Sequence, residues 1–113
     1  MTRYLISFDD GAMDHIPADE LASVSDASHA VVRQAREAGI WVFGGGVLRQ
    51  QASIVAVDGT VSDGPVPETK AVIGGFSIID VPTRDEALQW ATRLADACRC
   101  AQEVREIGDD PES

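Results

Sequence analysis

Two stretches with helical spacing, each bracketed by segments of strand-like alternation, constrain this chain more than any other feature. Tyr4, Ile6 and Phe8 alternate with Leu5 and Ser7, the two-residue period of a strand, until Asp9-Asp10-Gly11 breaks it. From Pro17 to Ala38 the period lengthens, and Leu21, Val24, Ser28, Val31, Val32 and Ala35 fall on one helical stripe. Pro17 suits a first helical turn, where its missing N–H has no intrahelical partner, and Gly39 is a stop signal. Ile40 to Phe43 reads as a second strand, which Gly44-Gly45-Gly46 is expected to interrupt with a bulge or a close backbone approach. The pattern then repeats. Phe76 to Val81 is a strand ended by Pro82, and Thr83 with Glu86 three residues on is a capping-box signature. Ala87, Leu88, Ala91, Leu94 and Ala95 make the buried stripe of the helix that follows, and Gln102 to Ile107 is a short last strand.

Between these halves lies a hairpin. Ser53 to Val57 reads as a strand that Asp58-Gly59 turns back through Thr60 and Val61. The order β-α-β, hairpin, β-α-β predicts an α+β domain over residues 1–107, with both helices on one face of an antiparallel sheet. Residues 108–113 read as a frayed acidic tail. The uncovered sheet face would carry bulky side chains such as Phe76 and Ile78. Soluble monomers rarely leave such a patch bare, so a homodimer is expected.

Charge removes other options. Nine basic against nineteen acidic residues leave a net charge of −10, which repels phosphate backbones and anionic membrane surfaces. No apolar run approaches the ~20 residues of a membrane span. The N-terminal stretch, acidic from Asp9, is unlike a secretory signal. The reading is a cytoplasmic protein with no nucleic-acid or membrane partner. Cys98 and Cys100 are too few for a disulfide framework, and Cys98 continues the stripe of the second helix. His15 with Asp9, Asp10 and Asp14 lacks a recognised metal-ligand spacing, and Gly44-Gly45-Gly46 lacks the residues of a phosphate-binding loop. No motif calls for a cofactor.

Asp63-Gly64-Pro65-Val66-Pro67-Glu68-Thr69-Lys70, then Gly74-Gly75-Phe76 and the helix Asp85-Glu86-Ala87-Leu88-Gln89-Trp90-Ala91, resembles the signature of the YCII-related family, in its DGPF-domain branch. The resemblance spans residues 1–107, with Val66 standing where the family usually has phenylalanine. It implies a ferredoxin-like βαββαβ unit with an extra hairpin that pairs into a dimeric α/β barrel. The family's chemistry is largely unassigned, although the wider superfamily includes small-molecule enzymes, a dehydrochlorinase among them.

Three residues are candidates for chemistry. Asp63 opens a proline-bracketed turn, where a carboxylate either accepts local N–H groups or orients a ligand. Glu68 has no evident capping role, and close to Asp63 it would raise one carboxyl pKa towards that of a useful acid. His29 lies on the first helix, and the resemblance implies a histidine on that helix paired with an aspartate. Counting back from Ala38-Gly39 puts the family position nearer 28, about 100° around the helix from His29. The expected function is proton transfer on a small molecule in a cleft beside this loop. The alternative is a ligand-binding or regulatory dimer without turnover.

Overall fold

The computed structural model describes residues 1–48, 52–63 and 72–113. Strand β1 (Thr2–Asp9) leads through a 3-10 turn at Ala18–Glu20 into helix α1 (Leu21–Glu37) and strand β2 (Trp41–Gly46). The hairpin is β3 (Ser53–Val55) and β4 (Val61–Asp63). Strand β5 (Ile73–Val81), helix α2 (Arg84–Cys98) and strand β6 (Glu103–Glu106) complete the chain's order. The main sheet runs β2-β5-β1-β6 with every neighbouring pair antiparallel, and β3-β4 forms a separate two-stranded sheet. This is the expected ferredoxin-like α+β arrangement, with the hairpin inserted between the second and third strands of the main sheet.

Local signals set the boundaries. Gly39 ends α1 with φ 74°, its N–H donating to the Arg36 carbonyl and that of Ile40 to the Ala35 carbonyl. The Thr83 hydroxyl accepts the Glu86 N–H at 3.2 Å, capping α2 as expected. At the far end of α2, Arg99 takes the left-handed conformation with φ 57°. Gly59 takes φ 89° in the hairpin turn, and the Asp58 carboxylate accepts the Thr60 N–H at 2.9 Å. That bond holds the Asp58 carboxyl below its usual range.

Register decides which face each residue occupies. Tyr4 pairs with Ile79, and Ile6 pairs with Ser77 on one side and Val104 on the other. These positions share the helix-covered face, where Tyr4, Ile6, Ile79 and Val81 pack with Val31 of α1 and with Ala87, Ala91, Leu94 and Ala97 of α2. Ile6 and Ala87 are wholly excluded from solvent.

Several expectations are corrected. The glycines at 44–46 do not interrupt β2; they belong to it, as Gly74 and Gly75 belong to β5. Leu88 is exposed because it stands about 100° around α2 from the buried Ala87. Leu21, also exposed, opens α1 a turn ahead of Val24, the first buried position. The tail is not simply frayed, since the Asp110 carboxylate accepts the Glu112 N–H and the Ser113 hydroxyl, each at 3.0 Å.

Gly44 shows why β2 needs its glycines. A Cβ there would lie 2.7 Å from the Phe76 carbonyl oxygen and 2.8 Å from the Trp41 ring, which folds over this position. Gly44→Ala is therefore expected to destabilise by about 2 kcal/mol, a fall of roughly 8 °C in Tm. Gly45→Ala meets nothing within 4 Å and should leave Tm within about 2 °C. Thermal unfolding of the two variants at equal concentration checks the difference.

Candidate functional site

The face of the sheet turned away from the helices is read from the same register. Leu5 sits opposite Ile78, Ser7 opposite Phe76 and Arg3 opposite Asp80, while Arg105 and Glu103 of β6 flank Leu5 and Ser7. Phe43 of β2 pairs with Ile78 after a bulge that follows Trp41. The bulge separates the two aromatics of β2, leaving Trp41 packed against the core and Phe43 on the open face. The Phe43 and Phe76 rings lie 5.9 Å apart at 49°, a tilted aromatic pair, and Phe43 remains 60% exposed. Leu5, Phe43, Phe76 and Ile78 thus form an apolar floor, bordered on β6 by the exposed Arg105–Glu103 ion pair at 2.5 Å.

One polar atom on this face lacks a partner. Asp80 Oδ1 is shut off from solvent and makes no hydrogen bond among the described residues. The backbone beside it is satisfied, with Asp80 N–H donating to the Ile40 carbonyl at 2.8 Å. A buried acceptor without a donor costs about 1–3 kcal/mol, more when charged, so this oxygen is a vacant acceptor opposite Arg3, beside the apolar floor. Sequence reasoning assigned Asp80 no role. Its signal was a lone carboxylate inside the apolar run Phe76 to Val81.

Of the residues singled out from the sequence, Asp63 and His29 stand on other elements, β4 and α1. Asp63 ends β4, and its carboxylate accepts the hydroxyl of Ser53, its cross-strand partner. Glu68, with Gly64, Pro65, Val66 and Pro67, lies outside the described residues. His29 is exposed on α1, turned about 140° from the Val24–Val31–Ala35 stripe and so away from the sheet. No hydrogen bond joins His29 to Asp63 among the described residues, and they stand on elements that do not pack extensively together.

Other groups can be weighed on the same terms. Among the described residues no three His, Cys, Asp or Glu side chains converge to hold a metal ion. Burial pushes the Cys98 and Cys100 thiols above their usual range, so at neutral pH both stay protonated and weakly nucleophilic. A groove of about 430 Å³ between α1 and α2 is lined by Ala27, Gln34, Arg93, Asp96 and Arg99. Its cations are engaged, Arg99 with Glu20 at 2.8 Å and Arg93 over the Trp90 ring at 4.4 Å. No described helix is long and apolar enough to cross a membrane.

Comparison with known proteins bears on the fold. The family model described as YCII-related domain matches residues 3–109. A comparison with curated proteins finds no match. Among solved structures, the chain is similar to 5-chloro-2-hydroxyhydroquinone dehydrochlorinase from Burkholderia phenoliruptrix AC1100, in complex with 2,5-dihydroxybenzoquinone. The TM-score is 0.55 at 14% identity, covering 99% of this chain and 98% of that one. Likeness at that identity is a likeness of fold.

Proposed function

The chain belongs to the YCII-related domain family, and on that footing we propose that it is a homodimer that binds a small flat molecule on the open sheet face and moves a proton there. The vacant acceptor Asp80 Oδ1 carries the reading. A ligand hydroxyl would give it the donor it lacks, and the apolar floor of Leu5, Phe43, Phe76 and Ile78 would take the ligand's flat surface. The same carboxylate would accept a proton from the ligand and give it back to the ligand. The similar dehydrochlorinase, whose bound molecule is a dihydroxylated quinone, supports a small hydroxylated ring as the ligand class.

A second copy makes the open face into a cavity. The floor alone is a flat apolar surface, and pairing two such faces about a two-fold axis would enclose both. Light scattering at micromolar concentration should return twice the chain's 12.0 kDa. A mass of one chain at every concentration would end the dimer reading.

Asp63 and Glu68, with His29 as the third candidate, are proposed as a second locus distinct from Asp80. Thermal-shift screening with hydroxylated aromatic compounds separates the loci. A compound that stabilises the wild type by several degrees should lose at least half of that shift in Asp80→Asn. Loss in Glu68→Gln instead would move the site to that second locus, and an equal shift in both variants would remove both carboxylates from it. Proton exchange at the ligand in the wild type that is lost in Asp80→Asn would mark turnover. Binding without exchange in the wild type would leave the non-catalytic module.

A further inference from the structure

The β3–β4 hairpin exposes more aliphatic surface than its own chain uses. Ile54 is 49% exposed, Val55 67%, Val57 109% and Val61 59%. Successive strand residues point to opposite sides, so Ile54 and Val55 leave both faces of the ribbon bare. Its pairing is limited to Ser53 with Asp63, Ile54 with Ser62 and Val55 with Val61. No other described element packs on it beyond a marginal touch. A two-stranded ribbon with no cover is marginal in water. Its charged side chains do little to solvate it, because both are engaged within the hairpin, Asp58 by Thr60 and Asp63 by Ser53.

We propose that this hairpin is an exchange arm that packs onto a second copy of the chain, its aliphatic side chains roofing the partner's open sheet face so that the ligand lies between arm and floor. The proposal rests on the dimer reading above and adds the element that does the covering. Three observations select the occupant. The net charge of −10 disfavours a phosphate backbone or an anionic lipid surface. The chain itself presents the complementary surface, the floor of Leu5, Phe43, Phe76 and Ile78, and a two-fold pairing lets each arm cover the other's floor. The area also fits. The four aliphatic residues of the arm expose on the order of 450 Å² per copy, roughly half of the ~800 Å² per partner in a standard stable interface.

The test uses the full chain. Sedimentation equilibrium of a Val55→Asp, Val57→Asp double variant should show a dimer dissociation constant raised at least ~30-fold over wild type. Its monomer, melted at high dilution, should keep its Tm within about 2 °C, because neither side chain is packed in its own chain. Hydrogen exchange of the wild-type hairpin amides should slow at least ~10-fold on passing from below to above the dissociation constant. A dissociation constant unchanged within twofold, or hairpin exchange that ignores concentration, overturns the arm while leaving the dimer standing. A wild type that stays monomeric at all concentrations overturns the dimer and the arm together.

Discussion

Ile6→Ala should lower the melting temperature by roughly 12 °C, the largest stability effect expected from one truncation in this chain. Ile6 is wholly buried on a central strand, between Ser77 and Val104, beneath the helices. Truncation removes its apolar transfer energy and leaves a cavity that two hydrogen-bonded neighbouring strands hold open, a cost of about 3 kcal/mol. That is a large fraction of the 5–15 kcal/mol typical of a whole domain. Circular dichroism melts at one fixed concentration check it, since dimerisation would make Tm depend on concentration. A fall below about 4 °C would mean that the strands close over the missing side chain, and the core would be softer than its packing implies.

Phe43→Asp should weaken the dimer about 100-fold while sparing the monomer. The ring is 60% exposed in the single chain, and its described aromatic contact is one tilted pair with Phe76. Little is lost from the monomer by removing it. In the dimer the same position would place a carboxylate in a desolvated apolar contact, and aromatic anchors of that kind are worth about 2–4 kcal/mol. The substitution also deepens the repulsion between two chains that already carry −10 each. Sedimentation at graded concentrations gives the ratio directly. A ratio under threefold would place Phe43 outside the contact and shift the interface away from the open face.

The fold was largely legible because its punctuation is chemical and local. Gly39 supplies a positive φ, Thr83 accepts the Glu86 N–H, and Asp58 takes the Thr60 N–H. None of these depends on the rest of the chain. The glycines at 44–46 were harder, because a missing side chain reads the same whether it breaks a strand or makes room inside one. At Gly44 the room is for the Trp41 ring, three residues away along the strand. The open face was foreseeable from alternation, which named Phe76 and Ile78 correctly. Asp80 was not, because its surroundings are set by Arg3, 77 positions earlier, and Ile40, 40 positions earlier. Asp63 and His29 belong to the same lesson. Sequence supplies the carboxylate and the imidazole, but which side of a sheet each occupies is set by register and packing.

The alanines under the helices carry one more consequence. Ala35, Ala87, Ala91 and Ala97 let α1 and α2 approach the sheet closely, and all four are buried. That side of the molecule can accept few changes. The opposite side bears Phe43, Phe76, Ile78 and Asp80, none of which belongs to that packed layer. A lineage built on this plan can therefore change what the open face presents by rewriting a handful of outward positions, while the scaffold that folds them is inherited intact.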